Sequence, residues 1–195
     1  MDKSGFRYVC LLVFLCLIAA QVSAQQSGNV TWTMALLNAR TNESIPFSAP
    51  VQSRTGERFR LVIQAEADSF CYIIAESPTG EVVVVYSGPL RGGEMWRSNV
   101  LELTAPGGSE SLFIIVSRDS QRTLNQRITA LQNNNGRSQR RALMNEVFRI
   151  RGDVSRFREA PEVPVLMGGA ARGAETQGIE FSGLTAYVKT INIVH

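Results

Sequence analysis

The first half of the chain alternates apolar and polar residues with a period of two. The alternation is clearest over residues 30–36 and 59–65, where every second residue is large and apolar or, at the end of the second run, alanine. Such alternation is typical of strands that bury one face. Both segments are therefore predicted to be half-buried β-strands.

Two longer apolar segments follow, FCYIIAE at 70–76 and EVVVVYS at 81–87. The residues between them, Ser77-Pro78-Thr79-Gly80, form a turn sequence. Because both segments are apolar on both faces, we expect adjacent central strands joined by a hairpin. Shorter strands are predicted at 100–103 and 111–117, with a loop over 88–93 and a turn at 106–108.

The hydrophobic period changes after Ser117 and becomes helical. Apolar residues recur at Leu124, Ile128 and Leu131, the spacing of one helix face. The stripe of a second helix consists of Leu143, Val147, Ile150, Val154 and Phe157. The candidate capping residues are Asp119 or Ser120 for the first helix and Ser138 for the second. Residues 118–158 are therefore predicted to be a two-helix insertion.

The last part of the chain returns to β-structure. Residues 160–178 are rich in proline, glycine and alanine, so a flexible loop is expected there. Strands are predicted at 178–181 and 185–194. The pattern as a whole predicts a single, mainly β domain over residues 25–195: an immunoglobulin-like antiparallel β-sandwich with the helical insertion before its last strands.

The N-terminus has the three zones of a signal peptide. Lys3 and Arg7 precede the apolar residues 8–20, and Val22-Ser23-Ala24 offers small residues for cleavage. The apolar stretch is shorter than the about 20 residues that a spanning helix requires. We therefore expect cleavage after Ala24 and a mature domain that does not span the membrane, located in the periplasm, outside the cell or at its surface.

The side chains needed for common catalytic chemistry are scarce. His195 is the only histidine, and Cys71 is the only cysteine after residue 24. A hydrolase triad and a zinc site are therefore disfavoured, and Cys71 is interpreted as core packing. Gly168 and Gly173 have the spacing of a phosphate-binding loop but lack its lysine. We predict no catalytic residue, metal or cofactor.

Two further motifs have ordinary explanations. Arg151-Gly152-Asp153 matches an adhesion tripeptide, but it lies within the second predicted helix, where coincidence is the better interpretation. The acidic residues around the predicted hairpin are Glu66, Asp68, Glu76 and Glu81. They are interpreted as residues of strand ends and turns, and their spacing does not match a calcium loop.

Arginines are concentrated in the helical segment. Residues 118–159 contain Arg118, Arg122, Arg127, Arg137, Arg140, Arg141, Arg149, Arg151, Arg156 and Arg158, against four acidic residues. A solvated helix face is the usual explanation. The functional interpretation is contact with an anionic phospholipid, glycan or protein, but not nucleic acid. The candidate contact residues are Arg137, Arg140, Arg141 and Arg149.

The segment FRLVIQAEADSFCYIIAESPTGEVVVVYS (59–87) resembles the bacterial domain-of-unknown-function family 4384. Its most specific part is the D-S-x-C-Y-I-I sequence at 68–74, and the similarity continues through VLEL, ESLFIIVS and the terminal YVKTINIVH. The resemblance implies an exported, stand-alone member with a β-sandwich-like fold. It implies no established activity and no functional residues.

Three functions are compatible with these features. We expect an exported, non-catalytic interaction module of the bacterial cell envelope, with another envelope protein as its partner. The alternative is a binding protein for an anionic glycan or lipid that uses the arginine-rich helices. An enzyme of unfamiliar type is the third hypothesis, and it requires a polar pocket.

Overall fold

The computed structural model describes residues 29–155, 162–171 and 174–195, so the predicted signal peptide lies outside the described residues. The described strands are β1 (Val30–Asn38), β2 (Val51–Gln52), β3 (Arg58–Ala65), β4 (Ser69–Glu76), β5 (Val82–Leu90), β6 (Met95–Arg97), β7 (Leu101–Glu102), β8 (Ser109–Ser117), β9 (Val163–Ala171), β10 (Ala174–Gly183) and β11 (Ala186–Val194). The described helices are α1 (Arg122–Asn133) and α2 (Arg137–Ser155).

The strands form two packed sheets, which confirms the predicted mainly β sandwich. The first sheet has the order β6-β3-β1-β10-β9, with β7 also pairing with β3, and the second has the order β2-β11-β8-β4-β5. All pairings are antiparallel except that of β2 with β11. The second sheet therefore contains one short parallel pair beside its antiparallel pairings.

The core between the sheets follows the alternation seen in the sequence. Trp32, Met34 and Leu36 point inward from β1, and Ile114 and Val116 do so from β8; all five are fully buried. Each such side chain contributes about 1.5–3 kcal/mol by leaving water. The period of two in the first half of the chain therefore reflects which strand residues point into this core.

The two helices form a third layer on the outer face of the second sheet. Their buried side chains are Leu124, Ile128 and Leu131 of α1 and Leu143, Met144, Val147 and Ile150 of α2. These pack against Tyr72, Ile74, Phe113, Ile115 and Val188 of the sheet. β4 and β8 are apolar on both faces because one face meets the core and the other meets the helices. No helix within the described ranges is long and apolar enough to cross a membrane.

The helices begin differently from the prediction. Gln121 is the N-cap of α1 and makes no side-chain capping bond, so neither Asp119 nor Ser120 is the cap. Instead, the Gln121 backbone N–H donates to the Tyr72 hydroxyl over 2.9 Å. The second helix starts one residue before Ser138. The Tyr72 hydroxyl of β4 therefore accepts the backbone hydrogen bond at the start of α1. The residues next to the helix in the sequence do not indicate this contact, because Tyr72 is distant along the chain.

β5 is an edge strand, not the central strand that its composition predicted. The hairpin of β4 and β5 is confirmed, but β5 is paired on one side only, by β4. Val82 and Val84 contact the helical layer, whereas Val85 and Tyr86 contact the core, which explains the apolar composition. β5 also extends to Leu90, into the predicted loop.

The loop expected at 160–178 is wrong where the structure describes it. Residues 163–171 form β9, which pairs antiparallel with β10. At Gly178 of β10, an added Cβ would lie 2.7 Å from the side chain of Met167, so small residues here allow close packing. Pro164 and the Gly168-Gly169 pair, which are typical of loops, concealed this strand in the sequence. Residues 156–161 and 172–173 lie outside the described residues.

Candidate interaction surface on the helical layer

The first turns of α2 lie beside the turn between β4 and β5. Because a helix repeats every 3.6 residues, Arg137, Arg141 and Phe148 lie along one flank. That flank borders a groove of about 710 Å³, whose other wall is the β4–β5 turn. The groove contains two carboxylates, Glu76 and Glu81. The helical layer thus presents several of the predicted contact arginines next to a surface depression.

Arg140 is a tether between the helix and the sheet. Its guanidinium pairs with the Glu81 carboxylate and also donates to the Gly80 carbonyl over 3.5 Å. The side chain is 22% exposed. Within the described parts of the chain, its buried Nε has no hydrogen-bond partner. Arg140 therefore holds α2 on the β4–β5 turn, and it is not available as the predicted contact residue.

Arg149 is neutralised within α2. It forms two hydrogen bonds to Glu146, of 2.9 and 2.7 Å, and a third of 2.6 Å to Asp153. Hydrogen bonding to Glu146 raises the pKa of the Arg149 guanidinium above its usual value. Asp153 belongs to the adhesion-like tripeptide, which is helical as expected. Arg149 therefore offers little net charge to a partner.

Arg137 and Arg141 are the members of the predicted set that form no ion pair with a residue that the structure describes, and both are exposed. Between them and Arg151 lies Phe148, which is 44% exposed. The Phe148 ring packs edge-on against Phe113, with centroids 5.6 Å apart, and the Arg151 guanidinium lies 5.3 Å from its centroid. We call Arg137, Arg141, Phe148 and Arg151 the arginine–aromatic face.

Sequence reasoning missed Phe148 and Arg151 as members of this surface. The buried stripe of α2 is formed by Leu143, Val147 and Ile150. Phe148 follows Val147 directly and falls outside that stripe. This position could have shown from the sequence that Phe148 does not belong to the buried face of α2. Phe148 is therefore partly buried against Phe113 and partly exposed beside the arginines.

A second cavity of about 360 Å³ opens between the two sheets, beside β5. Its walls include Phe59, Val83, Val85 and Leu101, so the interior is apolar. Two carboxylates at its rim are paired with arginines, Glu81 with Arg140 and Glu102 with Arg58, and Glu110 lies 3.4 Å from His195 Nε2. The two arginines offset much of the negative charge at the mouth of this inter-sheet cleft.

The acidic residues around the hairpin do not converge on one point. The Asp68 carboxylate accepts a hydrogen bond of 2.8 Å from the Gly92 backbone, and Glu81 pairs with Arg140. Across the described ranges, no three potential metal ligands come together. The interpretation of these acids as residues of strand ends and turns agrees with their contacts.

Cys71 is fully buried in the core, and burial raises the pKa of its thiol. The native thiol therefore stays protonated, whereas the thiol of the unfolded chain ionises near pH 8.5. We expect a thiol-specific reagent to label the native protein slowly at pH 8 and the urea-unfolded protein rapidly. Fast labelling of the native chain, measured by intact mass, would contradict this burial. Because ionisation favours the unfolded state, stability should also fall as pH rises above about 8.5.

Comparison with known proteins does not assign this chain to a family. No family model matches this chain, and no curated protein matches it either. The resemblance to the domain-of-unknown-function family 4384 therefore stays a prediction.

Proposed function

We propose that this protein is an exported, non-catalytic interaction module of the cell envelope that contacts an anionic partner through the arginine–aromatic face. The observation that carries the proposal is the exposure of Phe148 among Arg137, Arg141 and Arg151. Arginine and aromatic residues are the side chains most enriched at interfaces. The non-catalytic part rests on the single histidine and on the buried, protonated Cys71 thiol.

The charges of α2 are separated between its two flanks. Glu146 and Asp153 are both bound to Arg149, on the flank away from the groove. Arg137 and Arg141 face solvent on the groove side. An approaching anion therefore meets arginines whose charge is not already offset, next to an apolar ring that gains by leaving water.

The partner that we place first is another envelope protein with an acidic surface. The export signal motivates this choice, and an exposed phenylalanine favours an apolar contact within the interface. The second candidate is an anionic glycan or lipid, favoured by the same arginines. Binding of either candidate requires Arg137 and Arg141, whereas Phe148 contributes more to the binding of a protein partner.

The test is a pull-down of the tagged full-length chain, expressed in its own cells, after mild crosslinking. We expect the double substitution Arg137→Gln and Arg141→Gln to weaken capture about tenfold, a loss of about 1.4 kcal/mol. Phe148→Ala should weaken it similarly. The matched control replaces the exposed Arg122 and Arg127 of α1 by glutamine, which removes the same charge elsewhere on the helical layer and should change little.

Purified protein and vesicles with and without anionic lipid, or an acidic polysaccharide, separate the two candidates. Binding that weakens with rising salt and with the α2 double substitution, but not with Phe148→Ala, would assign a lipid or glycan. If the double substitution and Phe148→Ala leave every interaction as strong as in the α1 control, the arginine–aromatic face is not the contact surface.

A further inference from the structure

The inter-sheet cleft has apolar walls on both sheets. Leu112, Ala75 and Val83 lie side by side on β8, β4 and β5, and they form the wall on the second sheet. Phe59 and Leu101 pair across β3 and β7 and form the wall on the first sheet. The volume of about 360 Å³ falls within the range of small-molecule sites, which begins at about 300 Å³. The lining and the size therefore favour a small ligand with an apolar body.

One carboxylate lies on the inner face of the second sheet. Glu110 precedes Leu112 by two residues on β8, and alternate residues of a strand share a face. Glu110 therefore lies on the same face as the apolar wall, and it lines the cleft. Its side chain is only 17% exposed. Because two residues of a strand span about 7 Å, one small ligand can contact both Leu112 and Glu110.

Glu110 has no permanent positive charge beside it. The other two carboxylates of the cleft, at Glu81 and Glu102, are each bound to an arginine. Within the described residues, the basic group at ion-pair distance from Glu110 is His195, whose Nε2 lies 3.4 Å away and is charged only when protonated. That nitrogen is buried and makes no hydrogen bond to any described residue. A carboxylate so largely removed from water is costly unless a cation balances it.

We infer that the inter-sheet cleft binds a small apolar amine, with its hydrocarbon part against Leu112 and its ammonium group at Glu110. Charge argues for this class of ligand, because three of the described residues that line the cleft are acidic and none is lysine or arginine. An ammonium donates hydrogen bonds to a carboxylate, and such bonds are roughly twice as strong as neutral ones. A ligand carboxylate would be repelled at the same position, so the cleft selects cations. The inference does not rest on the arginine–aromatic face.

The test is an NMR titration of the purified, ¹⁵N-labelled full-length protein with hexylamine, hexan-1-ol and hexanoate, which share one hydrocarbon chain. We expect hexylamine to shift the backbone amide signals of residues around the cleft. Hexan-1-ol should bind there about tenfold more weakly, and hexanoate should not bind. All three titrations use the unmodified protein, so the comparison does not depend on the folding of a variant. Equal affinity for hexylamine and hexanoate, or hexylamine shifts confined to other surfaces, would overturn the inference.

Two substitutions separate the ammonium contact from the apolar contact. Glu110→Gln should lower the affinity for hexylamine to about that for hexan-1-ol, whereas the matched control Glu94→Gln, at a side chain that is 69% exposed, should leave it unchanged. Val85→Phe fills the cleft and should weaken the binding of both probes at least about tenfold. Its control is Val163→Phe, at a 45% exposed position of β9.

Far-UV circular dichroism checks that these variants are folded. If Glu110→Gln keeps the preference for hexylamine over hexan-1-ol, the ammonium does not bind at Glu110 and the inference is wrong. Glu110→Gln should leave the pull-down result unchanged, because Glu110 does not belong to the arginine–aromatic face. Failure of amine binding is therefore distinguishable from failure of the proposed partner contact.

Discussion

Replacing Trp32 by alanine should lower the free energy of unfolding by about 3–5 kcal/mol, the cost of emptying a large buried site. Trp32 is fully buried on the inner face of β1. Its ring stacks on Phe181, with centroids 4.6 Å apart, and meets the edge of Tyr187 at 6.0 Å. The substitution therefore removes contacts to strands of both sheets. Urea unfolding followed by far-UV circular dichroism measures the loss.

Trp32→Phe serves as a second variant at the same position. Among the described residues, the indole Nε1 is buried without a hydrogen-bond partner. An unsatisfied buried donor costs about 1–3 kcal/mol, so its removal offsets part of the lost packing. We expect Trp32→Phe to cost much less than Trp32→Ala. Val100→Ala, at a 45% exposed position, should stay within about 0.5 kcal/mol of the parent. Equal costs for the two Trp32 variants would contradict the assignment of the stacking as the stabilising contact.

The second large effect concerns Lys189, a lysine on the inner face of the sandwich. Its ammonium lies 2.6 Å from Glu162 and 5.6 and 5.7 Å from the ring centroids of Phe47 and Phe181. The side chain is only 11% exposed. Glu162→Gln leaves this ammonium without its carboxylate, and we expect a loss of about 1–3 kcal/mol in the free energy of unfolding. The loss is below that of a fully buried pair because Glu162 is 32% exposed.

Lys189→Met should behave differently. It removes the charge together with its desolvation cost and places an unbranched thioether next to the two rings. We expect stability equal to or above that of the parent, and the double variant Glu162→Gln with Lys189→Met should match Lys189→Met alone. Urea unfolding of the three variants provides the measurement. If Lys189→Met costs as much as Glu162→Gln, the ion pair is itself a net source of stability, and our explanation is wrong.

The arginine–aromatic face lies next to the ion pair that attaches α2 to the sheet. Arg140 holds α2 on the β4–β5 turn, and the same turn ends at Glu81, immediately before the β5 edge. The contact that holds the helical layer on the sheet is therefore next to the proposed partner surface.

The mainly β class, the hairpin of β4 and β5, and the helical stripes through Leu131 and Val154 could be predicted from the sequence alone, whereas Phe157 of the second stripe lies outside the described residues. These features are local, because a hydrophobic period of two or of 3.6 residues shows which face of a strand or helix is buried. The helical position of Arg151-Gly152-Asp153 also followed from the stripe around it. For the same reason, the sequence located the cluster of arginines but could not say which of them remain free.

The sequence could not show which element covers the second apolar face of a strand, because that contact is made by residues far away in the chain. β5 is apolar on both sides because helices cover it, not because it is central. Ion pairs between distant segments determined that Arg140 is a tether and that Lys189 is balanced by Glu162. β9 was hidden because its proline and glycines are typical of loops, whereas its pairing with β10 is a tertiary contact. Pairing between residues far apart in the chain depends on how the sheets stack, and no local period records it.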